Sequence, residues 1–343
     1  MSTSPTYSII IPSYNYGHYL VECIGSLKAQ TYNDWECWII DDGSSDDTAN
    51  IAAKLTQEDT RIKYHYQENA GLSAARNRGI SLSNGRYIQF LDTDDLLEKD
   101  KLQYFAEIFE EKPAIDLLYA EGRLFIENDL SKLYLNYTDL EQEPWTLQIS
   151  GKGEQIAAEF LKFNRFLVNM PIVKAEIAKK LLFDVQHSHS DDSKLVKEVF
   201  EKVSMRFIQG NDDWDFWMRI ALDGATFYKA PFKENTYSLL RLHGGSMSTK
   251  QAAMLCSQLM MRIKWNKLMP AGPLKTKNQL MLQQNRLVYG IYLKQESQFK
   301  LGQRFIWSAM VAAKSLKYSL FALVSLFLSG HTSMKLLKKV TGQ

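Results

Sequence analysis

Cysteine is scarce in this chain. The 343 residues include three cysteines, Cys23, Cys37 and Cys256, which lie far apart and form no C-x-x-C or Cys/His ligand pattern. An odd, scattered set of this kind excludes a disulfide framework and gives no indication of a zinc site. We therefore expect a protein of a reducing compartment, the cytoplasm.

Export signals and long apolar runs are also lacking. The first residues are polar and contain no basic stretch followed by an apolar one, which argues against secretion. An apolar run at residues 318–328 spans eleven residues and is interrupted by Ser319 and Ser325. About 20 apolar residues are needed to span a bilayer, so this run is too short to do so.

Acidic residues are nearly absent from the C-terminal part of the chain. Residues 251–343 hold 14 Lys and Arg and a single acid, Glu296. The whole chain has 41 basic and 39 acidic residues, so residues 1–250 carry a net charge of −11. We therefore divide the chain into an acidic body, residues 1–250, and a basic region, residues 251–343, that faces an anionic surface.

Helices are predicted throughout the basic region, at residues 251–268, 275–294, 301–328 and 334–340. Lysines flank the apolar run of the third helix, as in helices that lie in the interface of an anionic membrane. The alternative is a helix that packs on the acidic body with its lysines in solvent. We favour the membrane surface. Nucleic acid is not expected as a partner, because no nucleic-acid-binding motif accompanies the charge.

Residues 7–121 alternate short β-rich runs with amphipathic helical stretches. This alternation is typical of βαβ units around a mostly parallel sheet. Strands are predicted at residues 7–11, 35–40, 62–67, 86–91 and 116–120. Helices are predicted at residues 18–30, 46–57, 72–83 and 99–112. Asp46 is the predicted N-cap of the second helix, and residues 122–250 are expected to complete the site with a mixed sheet and loops.

Carboxylates gather where two of these strands end. Ligands of an open α/β sheet bind beyond the carboxyl ends of the strands, and Asp42 follows the second strand while Asp92, Asp94 and Asp95 follow the fourth. Carboxylates of this kind suit a hard cation such as Mn²⁺ or Mg²⁺, which can neutralise the charge that builds on a leaving diphosphate. A solvated acidic turn that caps the next helix is the alternative.

Other residues near these ends fit a nucleotide. Tyr14 offers a flat ring to a base, Asp42 a carboxylate to the N–H edge of that base, and Arg76 a guanidinium to a phosphate or to the aspartates. Each has a structural alternative, as a core residue, a turn former and an ion pair respectively. A dinucleotide-binding dehydrogenase is not favoured, because residues 12–17 contain no G-x-G-x-x-G.

Several motifs together resemble glycosyltransferase family 2. In the first hundred residues they are I-I-I-P-S-Y-N (9–15), Q-T-Y-N-D-W-E (30–36), D-D-G-S-S-D (41–46), N-A-G-L-S-A-A-R-N-R-G (69–79) and G-R-Y-I-Q-F-L-D-T-D-D (85–95). Two later segments, N-D-D-W-D-F-W-M-R (211–219) and R-L-H-G-G-S-M-S (241–248), are similar to the family's E-D-W-D-x-W-x-R block and R-x-H-x-x-S loop. The resemblance spans about residues 7–250.

The resemblance implies an inverting enzyme of the GT-A fold, a Rossmann-like and mostly parallel central sheet flanked by helices, at residues 1–250. A helical C-terminal extension follows at residues 251–343. The implied reaction moves a single sugar from a UDP-sugar, or another nucleotide sugar, to a hydroxyl of a glycan or lipid-linked acceptor in cell-surface polysaccharide biosynthesis. The implied location is cytoplasmic and peripheral, on the inner face of the cell membrane.

The resemblance also implies a donor site. Tyr14 and Asp42 would hold the uracil, and the aspartates at 92, 94 and 95 would serve the ribose, the diphosphate and a Mn²⁺ or Mg²⁺ ion, with Asp94 and Asp95 as the metal ligands. His243 would approach the metal or phosphate, or order its glycine-rich loop. The other implied donor-site residues are Pro12, Asn15, Asn69, Arg76, Asp92 and Thr93.

Asp213 matches the family's general base, which takes the proton from the acceptor hydroxyl as it attacks the anomeric carbon. Asp212 stands where the family usually has Glu, which leaves open which of the two acids acts. Asp212 and Trp214 are expected at the acceptor site. For Trp214 and Trp217, a place in the core is the alternative.

Two departures from the family bear on the acceptor. A polar insertion at residues 184–210, with a predicted helix at 194–203, precedes the base. We interpret its potential metal ligands as solvated loop residues: His187, His189, Asp191 and Asp192. No Q-x-x-R-W motif follows the base, so a processive synthase is not expected. The main alternative function is a non-catalytic nucleotide-sugar-binding or membrane-recruited scaffold, and a nucleotidyltransferase ranks last.

Overall fold

The structure, a computed structural model, describes residues 4–127, 129–135, 146–185, 210–244, 251–311 and 316–341, without the side chains of 251–253 and 338–341. The predicted helix at 194–203, with His187, His189, Asp191 and Asp192, lies outside the described residues, as does the 245–248 part of the R-L-H-G-G-S-M-S motif. The chain forms two compact units. The first comprises Met1–Val185 and Asp212–Ser246, and the second Gln186–Asn211 and Met247–Gln343.

The first unit contains the strands β1 (Tyr7–Ser13), β2 (Trp35–Asp41), β3 (Ile62–Tyr66), β4 (Tyr87–Phe90), β5 (Leu96–Leu97), β6 (Leu117–Tyr119), β7 (Gly122–Ile126), β8 (Asp129–Tyr134), β9 (Gly151–Lys152), β10 (Pro171–Lys174), β11 (Thr226–Lys229) and β12 (Ser238–Leu242). Its helices are α1 (Gly17–Lys28), α2 (Thr48–Glu58), α3 (Leu72–Leu82), α4 (Lys101–Glu111), α5 (Glu154–Phe160), α6 (Ala175–Leu181) and α7 (Asp212–Leu222).

The described strands form two sheets. The larger has the order β3-β2-β1-β4-β10-β6-β11-β9, and the smaller has the order β5-β12-β7-β8. Strands β1 to β4 are mutually parallel, whereas β10 runs antiparallel to both β4 and β6. The predicted α/β class with a mostly parallel sheet is therefore confirmed, and residues 122–250 supply β9, β10, β11 and three of the four strands of the second sheet.

Strand β1 continues through Pro12, where the sequence predicted that it would stop. Pro12 is paired with Ile40 of β2, and Ser13 is paired with Asp41. The neighbour on the other side, β4, pairs with β1 only as far as Ile10. The Pro12 nitrogen, which carries no hydrogen, faces the side on which β4 no longer pairs with β1. The proline therefore removes no hydrogen bond from the sheet.

Helix α3 packs closely on the centre of the sheet. A Cβ atom added at Gly79 would lie 2.3 Å from Cγ2 of Ile10, a fully buried residue of β1. The small residues of the 69–79 motif thus permit a close approach of helix and strand. At the start of α2, the N-cap is Asp47 rather than the predicted Asp46, although the Asp46 carboxylate accepts a hydrogen bond from Thr48 N at 3.1 Å.

The second unit consists of helices in its described part. They are α8 (Gln251–Leu268), α9 (Pro273–Gln295), α10 (Phe299–Val311), α11 (Leu316–Phe327) and α12 (Gly330–Thr341). The helical C-terminal extension is confirmed. Of the helix predicted at residues 301–328, the parts described are α10 and α11, and residues 312–315 lie outside the described residues. Within the described residues, none of the helices combines the length and the apolarity needed to cross a membrane.

Helices α9 and α10 cross at two glycines. A Cβ atom at Gly290 of α9 would lie 2.8 Å from the carbonyl oxygen of Gly302, and one at Gly302 would lie 2.6 Å from the carbonyl oxygen of Gly290. Near the same crossing, Lys294 of α9 is buried and donates its ammonium to the carbonyls of Ser325, at 2.8 Å, and Leu328. A cation at the C-terminal end of α11 is favoured by the exposed carbonyls there.

Candidate functional site

The C-terminal ends of the first three strands are level with one another. Ser13 of β1 is paired with Asp41 of β2, and Asp41 is paired in turn with Tyr66 of β3. Polar groups that follow these strands therefore meet at one edge of the sheet. This is the edge at which open α/β sheets bind their ligands.

Asp42, the residue after β2, is buried and holds the loop that follows β3. Its carboxylate accepts hydrogen bonds from Gln67 Nε2 at 2.7 Å and from the backbone N–H groups of Ala70 at 2.9 Å and Gly71 at 2.8 Å. Asn69 Nδ2 donates to the Asp42 carbonyl at 3.0 Å. A carboxylate has about four lone-pair positions, and these hydrogen bonds occupy three of those of Asp42.

Tyr14 is solvent-exposed, which excludes the core position considered as its alternative: 52% of the residue surface is accessible. The next residue, Asn15, has a φ of 57°, in the left-handed region that Asn tolerates better than most residues. Its side-chain oxygen accepts a hydrogen bond from Ser45 N at 2.7 Å, and its N–H donates to Ser44 Oγ at 2.9 Å. These bonds join the ends of β1 and β2 and leave the Tyr14 ring open at the edge of the sheet.

The D-T-D-D turn, residues 92–95, is joined to the end of β1 by its threonine. Thr93 is buried, and its hydroxyl donates to the Pro12 carbonyl at 2.7 Å. Both residues belong to the expected donor set, and the structure places them side by side. Their described role is to hold the aspartates of the turn beside the end of β1.

Asp94 of this turn meets His243, which follows β12. Asp94 Oδ2 and His243 Nε2 are 2.9 Å apart, so residues almost 150 positions apart in the sequence share one contact. Burial and the neighbouring Asp92 charge raise the pKa of Asp94 above its ordinary value, and the hydrogen bond with His243 opposes this increase. The Asp94 carboxylate and an imidazole nitrogen of His243 thus lie side by side.

Asp95 is buried, and each of its carboxylate oxygens accepts a hydrogen bond. One carboxylate oxygen accepts from Asn169 Nδ2 at 2.7 Å, and the other accepts from Arg241 N at 2.8 Å. Burial, with the adjacent aspartates, raises the pKa of Asp95 well above its usual range. Arg241 belongs to β12 and also donates to the Asp94 carbonyl at 2.9 Å. Asp95 therefore fixes β12, and with it His243, against the turn.

The Asp94 and His243 pair is the described arrangement that best fits a metal ion. In the part of the chain that the structure describes, no group of three or more His, Cys, Asp or Glu is placed to hold one. Two neighbouring ligands on an octahedral ion with bonds of about 2.1 Å lie about 3 Å apart, which matches the 2.9 Å between Asp94 Oδ2 and His243 Nε2. Two protein ligands leave positions for diphosphate oxygens and water.

Arg76 joins the D-T-D-D turn to the start of α7. Its guanidinium is buried and donates to Asp92 Oδ1 at 2.7 Å and to Asp212 Oδ2 at 2.5 Å. Both acids are charge-assisted acceptors of one planar cation, which restricts their relative positions. Burial lowers the pKa of Arg76, but the two carboxylates outweigh this effect and raise the pKa above its already high value, so the side chain is a permanent cation. The sequence suggested a phosphate or the aspartates as partners of Arg76, and in the structure Arg76 contacts the aspartates.

Asp213 follows directly at the first turn of α7 and is partly exposed. Its Oδ2 atom accepts a hydrogen bond from Asn164 Nδ2 at 3.1 Å, and its Oδ1 atom accepts one from Trp214 N at 2.7 Å. Burial first, and the Asp212 charge second, raise the pKa of Asp213 to about 7, although Arg76 and Asn164 oppose the increase. A carboxyl group with such a pKa can accept and release a proton near neutral pH.

The two tryptophans of α7 lie in the core, so Trp214 does not offer its ring to an acceptor as the sequence led us to expect. Trp214 is buried and donates its indole N–H to the Phe160 carbonyl at 2.8 Å. Trp217 is also buried and packs against Phe90 and Phe166. The helix thus buries its tryptophans and leaves Asp213 partly exposed at its N-terminal end.

Arg241 stands in a motif quoted above, but no role was predicted for it. Three other supporting residues were missed by sequence reasoning: Lys101, Asn164 and Asn169. Lys101 is fully buried and donates to the carbonyls of Asn169 and Met170, each at 2.9 Å, and burial lowers its pKa to about 7. No local pattern marks these positions, because each contact joins segments at least 49 residues apart.

A model of the family described as "Glycosyl transferase family 2" matches residues 8–162. Glycosyltransferase GlyG of Streptococcus pneumoniae is 33% identical over 181 residues, which are 52% of this chain and 58% of GlyG. The uncharacterized glycosyltransferase RC0461 of Rickettsia conorii is 46% identical over 104 residues, which are 30% of this chain and 17% of that protein. The chain thus spans less than two thirds of these curated relatives.

Solved structures with the same fold cover nearly the whole chain. The crystal structure of S. aureus TarS 1–349 in complex with UDP-GlcNAc has a TM-score of 0.63 at 17% identity, covering 98% of this chain and 92% of that one. The mannosyltransferase PcManGT of Pyrobaculum calidifontis, in complex with GDP-Man and Mn²⁺, has a TM-score of 0.55 at 14% identity, covering 96% and 83%. At these identities the likeness establishes the fold, which is GT-A.

Proposed function

The chain belongs to glycosyltransferase family 2, and on this premise we propose that it is an inverting glycosyltransferase that moves a single sugar from a UDP-sugar to an acceptor hydroxyl. One observation carries the proposal. The Arg76 guanidinium holds both Asp92, from the turn at the donor edge of the sheet, and Asp212, the neighbour of Asp213. A group that can bind donor and a group that can take a proton are thereby fixed in one site.

The donor half of the proposal uses the level strand ends. Tyr14 stacks on the uracil, and the Asp42 carboxylate accepts from its N–H group. Asn15, Asn69 and Thr93 keep these groups in place through their bonds to Ser45, Asp42 and Pro12. Asp92, which is partly exposed beside Arg76, is available to the ribose. PcManGT was solved with GDP-Man, so the proposal that Tyr14 and Asp42 bind uracil has to be tested against guanine.

Asp94 and His243 would hold the divalent cation, Mn²⁺ or Mg²⁺. When bound, such an ion offsets the negative charge of the diphosphate. The chain's own contribution is to aim the two ligands, which it does through Asp95, Asn169 and the backbone of Arg241. In this proposal Asp95 supports the ligands, because its hydrogen bonds with Asn169 and with the backbone of Arg241 hold β12 against the turn.

The chemical step is a single displacement. Asp213 accepts the proton of the acceptor hydroxyl, and the hydroxyl oxygen attacks the anomeric carbon from the face opposite the diphosphate. As the new C–O bond forms, the bond between the anomeric carbon and the diphosphate oxygen breaks and its electrons leave with the UDP. An α-linked donor then gives a β-linked product. Asn164 orients Asp213 by binding one of its oxygens.

The test is a screen of nucleotide sugars for UDP or GDP release, followed by the substitution Asp213→Asn. We expect transfer to fall by about 10²–10⁴-fold, the range for loss of a general base, with donor affinity in calorimetry unchanged. The matched control is Asp223→Asn, just beyond α7, where the acid pairs only with the exposed Lys180 in the described structure. Normal transfer by Asp213→Asn would refute the base assignment, and donor binding without transfer by the unmodified protein would favour the non-catalytic scaffold.

For the acceptor, we propose a glycan or lipid-linked glycan of the cell surface, assembled on the inner face of the cell membrane. The support is the charge of residues 251–343, which hold 14 basic residues and one acid. Such a region is attracted to anionic lipids by about 1 kcal/mol for each basic residue near the surface. A membrane-recruited enzyme would meet an acceptor that is itself attached to lipid.

A further inference from the structure

Helix α11 exposes apolar side chains along one face. Its exposed large residues are Leu316, Leu320, Leu323, Val324 and Phe327. Leu316, Leu320, Val324 and Phe327 follow one another at intervals of three or four residues, with Leu323 beside Val324, so the five form a single stripe about 16 Å long. We call these five residues the α11 stripe. Phe327 is 85% exposed, whereas Phe321, on the opposite face, is 6% exposed. The helix therefore has one apolar face in the core and another in solvent.

The preceding helix shows the same feature at its C-terminal end. Trp307 and Val311 of α10 are one helical turn apart, and more than half of each residue is exposed. Trp is enriched where proteins meet the headgroup region of a bilayer. Exposed apolar side chains occur singly on most proteins, but contiguous rows of them mark interaction surfaces. The stripe therefore calls for a partner with an apolar component.

The charge around the stripe distinguishes between partners. Residues 299–341, which contain α10, α11 and α12, hold seven Lys and Arg and no Asp or Glu. A second copy of the chain would bring the same positive charges face to face, and like charges oppose association. An anionic bilayer offers negative headgroups above an apolar layer, which complements both the lysines and the stripe.

We infer that the α11 stripe inserts into the interface of an anionic membrane, with α11 lying parallel to the bilayer surface. The inference rests on the membrane recruitment proposed above and adds the side chains that enter the lipid. Charge brings the helix to the surface, and the five apolar side chains then leave water for the headgroup and acyl boundary. Insertion of this kind resists salt, because screening at 1 M salt, where the Debye length is about 3 Å, weakens only the charge contribution.

The experiment is co-sedimentation of the full chain with vesicles of phosphatidylglycerol and phosphatidylcholine, compared with phosphatidylcholine alone, at low and high salt. The variant Leu320→Gln/Val324→Gln/Phe327→Gln removes apolar surface without changing charge. We expect its partitioning to fall at least about tenfold at low salt, and its binding at high salt to be lost. The matched control is Phe232→Gln in the first unit, where an exposed phenylalanine, 67% accessible, lies outside the stripe.

The outcomes separate insertion from recruitment and from folding. If the triple variant binds vesicles as well as the unmodified chain, insertion is wrong while recruitment by charge stands. If the unmodified chain binds neither vesicle at low salt, both are wrong. If it instead forms a dimer in light scattering that the triple variant abolishes, a second copy covers the stripe and the inference is overturned. Circular dichroism, together with the single variants Leu320→Gln and Phe327→Gln, shows whether a loss of binding is a loss of fold.

Discussion

The candidate site of the first unit and the end of α11 in the second unit hold buried positive charge differently. The buried Arg76 of the site is held by two carboxylates, whereas the buried Lys294 is held by backbone carbonyls, as Lys101 of the first unit also is. The basic region that contains Lys294, residues 251–343, has a single acid, Glu296. Two acids of the first unit thus hold Arg76 in the candidate site, whereas residues 251–343 carry an excess of positive charge, which our proposal assigns to an anionic surface.

The largest effect on stability is expected at Arg76, the buried cation that two acids hold. Arg76→Ala leaves Asp92 and the buried Asp212 without their cation, and breaking a buried ion pair in this way costs about 3–5 kcal/mol. Urea unfolding measures the loss. Arg61→Ala is the control, because its pair with Asp59 is partly exposed and should contribute no more than about 1 kcal/mol. Equal losses for the two variants would contradict the role given to Arg76.

A smaller effect is expected at the helix crossing of the second unit. Gly290→Ala places a methyl group against the Gly302 carbonyl, and overpacking of this kind costs about 1–3 kcal/mol. Gly25→Ala in α1 is the matched control, since nothing lies within 4 Å of the added Cβ atom. Ala is the better helix former by about 1 kcal/mol, so Gly25→Ala should stabilise. If Gly290→Ala and Gly25→Ala shift the melting temperature in the same direction, α9 and α10 are not closely packed at their crossing.

The smallest expected effect is a shift in the pH dependence of kcat/KM, which tests whether Asp213 is the base. Since Asp213 acts when ionised and its pKa is raised to about 7, kcat/KM should rise with pH through about 7. Asn164→Ala removes a hydrogen bond that favours the ionised form, so the midpoint should move to higher pH by about half to one unit, equivalent to about 1 kcal/mol.

Asn77→Ala is the control for that shift. Asn77 also makes side-chain hydrogen bonds, but to the backbone of Phe183. The pH dependence of kcat/KM for this variant should match that of the unmodified chain. A midpoint that stays in place in Asn164→Ala, or moves equally in Asn77→Ala, would show that Asn164 does not position the base.

The fold was predictable where neighbours in sequence are neighbours in the structure. The first four strands and the helices between them lie within a few residues of their predicted ends, because alternating periodicity and strand-end aspartates are local signals. The first strand was predicted to end before Pro12. A proline is tolerated within β1 there, because β4 no longer pairs with β1 at that position. That fact depends on the pairing of two strands about 80 residues apart.

The acids of the site were predictable from the sequence, but the asparagines that hydrogen-bond to them were not. Asp42, Asp92, Asp94 and Asp213 belong to motifs that the sequence displays. Nothing in the sequence indicates that Asn169 would hold Asp95 or that Asn164 would hold Asp213, since each contact joins distant segments. Trp214 shows the converse, because an aromatic residue beside a predicted base fits an acceptor site and a core equally well until packing is known.

The anomeric configuration of the product tests the central claim most directly. With an α-linked nucleotide sugar that the chain turns over, proton NMR of the first product formed distinguishes the two anomers by their coupling constants. A single displacement assisted by Asp213 predicts a β-linked product. An α-linked product would mean that the configuration is retained, and would contradict the inverting mechanism proposed for this site.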